Sequence, residues 1–297
     1  MPRKSRIRAL IAIILLVIIL ALFGYYIHAH PQVIHELRHI SLWLMLMLIA
    51  CYGLLLLWWM GVYNATLALC GKPLPKKENL LLTIYSTLAN FFLPLQTGPG
   101  VRAAYLKRRH KVPVYSYLMA SLIYFAIYAM ISAGFLFATS HYWYLDAPAI
   151  IGAAIISYLV IFAARKLFAR RNAEIKLQLT KEKLLRLFLM TLGQLLTQAL
   201  IYGIELHEVS GNLNPIRDLS YTGAANFSLF VSLTPGAIGF REAFLALAQK
   251  LHRFSTTQIL AANVIDRGVY LIVLGALFVA MLATHARDRI AAPRSKS

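Results

Sequence analysis

The chain has 297 residues, of which 60% are hydrophobic and only 14% charged, yet 30 Lys and Arg against 11 Asp and Glu leave a net charge of +19. Soluble domains are about 45–50% apolar and about 25% charged, so this composition, with a mean hydropathy of +0.66, excludes a soluble enzyme, a disordered chain and a secreted disulfide scaffold. The excess positive charge fits nucleic acid, an anionic membrane surface or a topology signal, depending on where it falls.

In chain order, residues 10–27 are almost purely apolar and follow a basic run ending Arg3-Lys-Ser-Arg-Ile-Arg8. A bilayer core of about 30 Å needs about 20 helical residues, so this stretch is long enough to span. A cleaved signal peptide has a shorter apolar core and a small-x-small site. His28-Ala-His-Pro31 does not supply one, and a retained anchor is expected. Residues 42–69, 115–139, 147–164 and 187–204 read as full spans, and 259–283 as a sixth that carries Asp266 and Arg267 inside it. Two further apolar stretches differ. Residues 80–95 contain Thr83, Ser86, Thr87 and Asn90 and break around Pro94, Gly98 and Gly100. Residues 219–234 contain Ser220, Thr222, Asn226, Ser228 and Ser232 and break around Pro235, Gly236 and Gly239. A short amphipathic piece follows each, over 101–109 and 240–251.

The Lys and Arg residues then choose the topology, because cytoplasmic loops hold their excess. If each broken stretch dips into the membrane and returns, 24 of the 30 positives lie on the cytoplasmic side, five outside and one within a span. If both crossed, Arg102, Lys107, Arg108, Arg109 and Lys111 would stand outside beside a span. The first arrangement also puts loop 140–146, aromatic and free of Lys and Arg, at the outer interface. The expected fold is an all-α polytopic membrane protein. It is one domain over 1–297, with six spanning helices, two re-entrant helical hairpins and both termini cytoplasmic. The basic cytoplasmic loop 165–186 sets topology before any contact with anionic lipid. Positives split among membrane-flanking loops leave no nucleic-acid surface.

The two broken stretches are similar. Tyr85-Ser-Thr-Leu-Ala-Asn-Phe91 and Tyr221-Thr-Gly-Ala-Ala-Asn-Phe227 share Tyr, Ala, Asn and Phe, and Gly100-Val-Arg102 answers Gly239-Phe-Arg241. Tyr128 falls opposite Tyr270. The repeats run over about 79–139 and 219–283. The topology makes them inverted, an arrangement common in secondary transporters with broken helices near the midplane. Unwound backbone at that depth is tolerated inside protein or beside a wet cavity, so both breaks point to a shared central cavity.

The candidate site follows from that placement. Half-helices starting near Val101 and Phe240 aim free N–H groups at the midplane, where a helix N-terminus favours an anion. Arg102 and Arg241 add guanidinium forks suited to phosphate. Glu242, Asp266 and Arg267 are intramembrane ionisable groups, expected to pair and to line a pathway. Asp266 with Arg241 and Glu242 with Arg267 are candidate pairs, as a structural lock or a ligand or proton-coupling site. Asn90 and Asn226 stand at matching positions, to bond hairpin backbone or a head group.

Other motifs carry less. His35-Glu-Leu-Arg-His39 spells the H-E-x-x-H zinc-protease pattern, with Glu205, His207 or Glu208 as a third ligand. It sits in a short outer loop, where an interfacial polar role is the simpler reading, so no metal site is assigned. Gly98-x-Gly100 lacks the third glycine of a nucleotide fingerprint. Cys51 and Cys70 are expected on one helix, too far apart to bond. No Ser/His/Asp triad is readable, and no cofactor is implied.

The pattern Asn226-x8-Pro235-Gly-x-x-Gly239-x-Arg241-Glu242, followed by Asp266-Arg267-x-x-Tyr270, resembles an integral-membrane family related to the flippase region of lysylphosphatidylglycerol synthetase. So does Asn90-x3-Pro94 with Gly98-x-Gly100-x-Arg102-x4-Lys107-Arg108. Members often carry an acidic residue and Arg in the span after the first motif. Here Tyr124-Phe125 stand there. The resemblance implies movement between leaflets of a phosphate-containing or aminoacylated lipid in a bacterial-type plasma membrane. It does not imply lysyl transfer, which the synthetase carries in a separate soluble domain, so no enzyme activity is expected. Besides the membrane phospholipid, the expected partners are a second copy of the chain or a lipid-modifying enzyme. A non-transporting subunit that presents lipid to such an enzyme is the alternative function.

Overall fold

The computed structural model of the protein describes residues 41–92, 97–138, 143–170, 175–231 and 240–291. The span expected over 10–27, the residues His35, Glu36 and His39, and the break residues Pro94, Pro235, Gly236 and Gly239 lie outside the described residues. Regular structure among the described residues is entirely helical. The helices are α1 (Leu42–Leu69), α2 (Lys76–Phe92), α3 (Gly98–His110), α4 (Val114–Leu136), α5 (Asp146–Arg170), α6 (Lys181–Ser210), α7 (Pro215–Val231), α8 (Phe240–Leu247), α9 (Gln249–His252) and α10 (Thr256–Ala291). A single 3-10 turn, Trp143–Leu145, precedes α5.

Among the described residues, five stretches are long and apolar enough to cross a membrane: Leu42–Leu69, Val114–Leu136, Asp146–Arg170, Lys181–Ser210 and Thr256–Ala280. They correspond to the expected spans two to six, with differences at the ends. The basic loop expected over 165–186 is shorter, because α5 continues to Arg170 and α6 begins at Lys181. Lys and Arg are good helix formers, Arg170 suits the negative end of α5, and the Thr180 hydroxyl accepts from the Lys183 amide at 3.4 Å to cap α6. At its other end α6 runs to Ser210 and stops at Gly211, whose φ of +69° forms a left-handed cap. Glu205 therefore lies inside a spanning helix rather than in the outer loop. The half-helix expected from Val101 begins at Gly98, with Pro99 in the first turn, where its missing N–H costs nothing.

The core joins α1 and α6 side by side with α10 across both, and α7 and α8 packed onto α6 and α10. Leu48, Leu206 and Leu245 are fully buried there. By contrast α5 buries none of its residues and packs on α4 along one face. Ile151, Ile156, Tyr158 and Phe162 stay exposed on it, as on a helix facing lipid.

Between spans, α2 packs against α3 and α7 against α8, so each broken stretch folds back on itself. At the first turn-back, Asn90 Oδ1 accepts the Gly98 amide at 2.7 Å and Thr97 Oγ1 donates to the Ala89 carbonyl at 3.2 Å. A Cβ on Gly98 would stand 2.6 Å from the Ser86 carbonyl oxygen, so only glycine lets the arms close. The contacts between hairpins and spans are reciprocal: α7 lies on α4, and α2 lies on α10. Tyr128 of α4 donates to Asn226 Oδ1 of α7 at 2.8 Å, and Tyr270 of α10 meets Phe91 of α2 with ring centroids 5.5 Å apart. The α7–α4 crossing is close. Ser220 donates to the Leu136 carbonyl at 2.5 Å, and a Cβ on Gly223 would stand 2.4 Å from the Leu136 nitrogen. Small residues at such a crossing are how membrane helices approach.

Candidate functional site

Arg102 lies in the second turn of α3, because that helix starts three residues before the expected point, and it is 8% exposed. Its guanidinium carbon stands 3.5 Å from the centroid of the Tyr63 ring on α1. Such a contact is worth about 2 kcal/mol when desolvated. Arg102 Nε is buried with no hydrogen-bond partner among the described residues. The guanidinium borders a small pocket lined by Tyr63, Thr66, Tyr117, Tyr124 and Phe125 among others, none of them a carboxylate. Tyr124 donates to Gln194 Oε1 at 3.3 Å, and Thr66 donates to the Val62 carbonyl at 2.8 Å. Gly100, in the first turn of α3, is exposed.

Arg241, in the first turn of α8, is equally buried at 9% exposure. Its guanidinium carbon lies 4.7 Å from the Tyr202 ring of α6. Its surroundings are otherwise unlike those of Arg102. Arg241 Nη1 donates to Asp266 Oδ2 and the Tyr52 hydroxyl donates to Asp266 Oδ1. Arg267 Nη2 donates to Glu242 Oε1 at 2.6 Å. Both ion pairs thus tie α8 to α10. Arg241 Nε and Nη2 and Arg267 Nη1 are buried without a hydrogen-bond partner among the described residues. Glu205 joins this cluster from α6. It is 1% exposed, its Oε1 has no hydrogen-bond partner among the described residues, and it stands within electrostatic range of Asp266 and Arg241.

The asparagines both serve the hairpins. Asn90 caps α3 through Gly98, and Asn226 accepts from Tyr128 while its Nδ2 has no partner among the described residues. The residues expected at the site therefore fall into two groups. Arg102, Asn90 and Gly98 belong to the first hairpin, and Arg241, Glu242, Asp266 and Arg267 gather at the second. Sequence reasoning missed Tyr63, Tyr202 and Tyr52, and considered Glu205 only as a zinc ligand. The missed signal was the repeat itself. Tyr63 and Tyr202 stand 139 residues apart, as do Arg102 and Arg241. The same offset sets Thr66 opposite Glu205, and an offset of 142 sets Tyr124 opposite Asp266 and Phe125 opposite Arg267.

Buried, partly unsatisfied arginines at helix starts can hold an anion by charge-assisted hydrogen bonds. The first can do so without giving up an existing carboxylate; the second already has one. The chain matches the family described as the lysylphosphatidylglycerol synthase TM region over residues 9–277. No curated protein matches it. With that match covering most of its length, the chain belongs to the lysylphosphatidylglycerol synthase TM region family.

Proposed function

We propose that the protein binds the phosphate of a membrane lipid at Arg102 and carries that lipid between leaflets. The observation that supports this most is the Arg102 pocket: a buried cation, one donor unmet among the described residues, and no carboxylate among the lining residues. Burying an unpaired charge costs several kcal/mol, a cost that an anionic ligand offsets when it docks. The aromatic walls suit the glycerol and upper acyl region beneath a phosphate. Membership of a family named for the membrane region of a lipid-modifying synthase is in keeping with a lipid ligand.

In this reading the two hairpins are re-entrant and inverted, and the N-terminal span completes six. The reciprocal contacts of α7 with α4 and α2 with α10 support the pseudo-two-fold relation. Both termini lie in the cytoplasm, and the membrane is a bacterial-type plasma membrane. Labelling a cysteine placed at Lys107 from each side tests the topology; reaction from outside would overturn it.

Function is tested by leaflet-resolved movement of fluorescent phosphatidylglycerol in vesicles containing the purified chain. Transport is expected to fall at least about tenfold in Arg102→Ala, equivalent to about 1.4 kcal/mol of lost interaction. Equal transport by wild type and variant would sink the phosphate site. Binding by wild type with no movement would favour a subunit that presents lipid to a partner enzyme.

A further inference from the structure

The second cluster holds a carboxyl group that neither ion pair uses. Glu205 is almost fully buried, and its Oε1 accepts no hydrogen bond among the described residues. Every element packed around it contributes a group that bears on its charge. Tyr52 comes from α1, Tyr202 from α6 itself, Tyr221 from α7, Arg241 from α8 and Asp266 from α10. From α4, Tyr128 stands near Tyr202 and Arg241. Asp266 already takes up one face of Arg241, and Arg267 is taken by Glu242. With Glu205 ionised, three carboxylates would face two guanidinium groups in a buried space; with Glu205 protonated, the count is even. An unpaired buried carboxylate is far costlier than a buried carboxylic acid.

We propose that Glu205 is a proton-binding site, neutral while Arg241 pairs with Asp266 and ionised when Arg241 turns its free donors toward it. The swap balances. The O–H bond of the Glu205 carboxylic acid breaks, its proton leaves to solvent, and the carboxylate accepts from Arg241 Nε or Nη2, the two donors without partners among the described residues. Asp266 keeps the Tyr52 hydroxyl. One proton is thus released or taken up each time the second hairpin changes its hold on α6 and α10.

A second buried carboxyl lies beside it. Asp218, near the start of α7, is 5% exposed with Oδ1 unpartnered among the described residues. Its Oδ2 lies 3.2 Å from where a side chain on Gly203, two residues before Glu205, would begin. Burial pushes the Asp218 carboxyl up to about 6, against the opposing pull of Arg217 and His207. At the corresponding position in the first half of the chain, Thr66 stands opposite Glu205 and carries no carboxyl group.

The inference goes beyond lipid binding and stands without it. The test is infrared difference spectroscopy of the purified full chain in nanodiscs, titrated through neutral pH. Wild type should show the C=O stretch of a protonated buried carboxyl, lost in Glu205→Gln and shifted but retained in Glu205→Asp. Absence of the band in wild type, or equal intensity in Glu205→Gln, overturns the proposal. A second arm uses vesicles with fluorescent phosphatidylglycerol and an imposed pH gradient. The gradient should speed lipid movement several-fold in wild type and leave Glu205→Gln unresponsive. An equal response in both overturns the coupling. A wild type that moves no lipid sinks the transport reading, and the infrared band still decides the proton site.

Discussion

The two hairpins present one motif in two electrostatic settings. Each carries a buried arginine early in its second arm, and each arginine lies over a tyrosine ring from the preceding span, at 3.5 Å for Arg102 and 4.7 Å for Arg241. Around Arg102 the repeat supplies Thr66, Tyr124 and Phe125; around Arg241 it supplies Glu205, Asp266 and Arg267. The scaffold is therefore common, and three positions decide what each half can do. Neutral residues leave Arg102 without a carboxylate partner among the described residues, as the proposed anionic ligand requires. Carboxylates turn the same arginine, in the other half, into a lock between α8 and α10.

The largest effect should come from opening the lock. Asp266→Ala leaves Arg241 buried without its carboxylate, and removing one partner of a buried pair costs about 3–5 kcal/mol. Tyr124→Phe, at the corresponding place, gives up only the 3.3 Å bond to Gln194, worth about 1 kcal/mol. Thermal unfolding in nanodiscs measures both, and equal losses would dissolve the contrast. Next comes the converse change. Tyr124→Asp gives Arg102 a carboxylate of its own, and affinity for dioctanoyl phosphatidylglycerol should fall about tenfold, or roughly 1.4 kcal/mol. Calorimetric titration reads this directly, and unchanged affinity would mean that the charge at Arg102 does not govern binding.

Packing changes should rank below these. Gly98→Ala pushes a Cβ to 2.5 Å from Asn90 Oδ1 within the first hairpin, while Gly223→Ala pushes one to 2.4 Å from the Leu136 backbone across the α7–α4 crossing. Overpacking of this kind costs about 1–3 kcal/mol. Both also meet backbone that cannot turn aside, and Gly223 should be the worse of the two, since its Cβ meets the Leu136 nitrogen, Leu136 Cα and Ser132 carbonyl, whereas that of Gly98 meets one backbone atom, the Ser86 carbonyl, at 2.6 Å. Unfolding midpoints of the two variants give the order.

Much of this architecture was legible in the sequence. The span at 42–69 was read with the bounds that α1 has, because a continuous apolar run needs no tertiary information. Pro, Gly and matching Asn and Arg led to two expected breaks, and among the described residues α2 ends at Phe92 before α3 starts at Gly98, and α7 ends at Val231 before α8 starts at Phe240. Helix ends were harder. Gly98-Pro99 looks like a breaker, yet proline is tolerated in a first turn and glycine is what the Ser86 contact requires. Glu205, His207 and Glu208 look like loop residues, and only the Gly211 cap ends α6. That Glu205 is buried depends on α1, α7, α8 and α10 meeting around it, which no local pattern encodes. Tyr63 and Tyr202 look like ordinary aromatic residues of apolar spans until the offset of 139 links them to the arginines.

The bases of the hairpins extend the contrast and yield the smallest predicted effect. In the first, Glu78 of α2 accepts from the Tyr105 hydroxyl and from His110 Nε2, the latter at 2.6 Å, both on α3. In the second, Arg217 of α7 donates to the carbonyls of His252 at 3.1 Å and Arg253 at 2.5 Å, closing α9. Burial pushes the Glu78 carboxyl up, but the hydrogen bonds from Tyr105 and His110 outweigh it and hold the group below its ordinary value. A lowered carboxylate value means stability that is full above the unfolded pKa of about 4.3 and lost as pH falls through the folded one. The His252 ring is held below its ordinary value by burial, and its Nδ1 accepts the Phe254 amide at 3.1 Å. Its contribution is full above the unfolded pKa of about 6.5 and lost as pH falls through the lower folded value. The second latch should therefore loosen first on acidification, and the first only in the carboxylate range. Hydrogen exchange of peptides covering 105–112 and 249–255, followed from pH 7 downward, should show that order. Glu78→Gln should remove the lower step at a cost of about 1 kcal/mol or less, as for a partly exposed pair. Simultaneous loosening of both peptides would mean that one global transition, and not two separate latches, responds to acid.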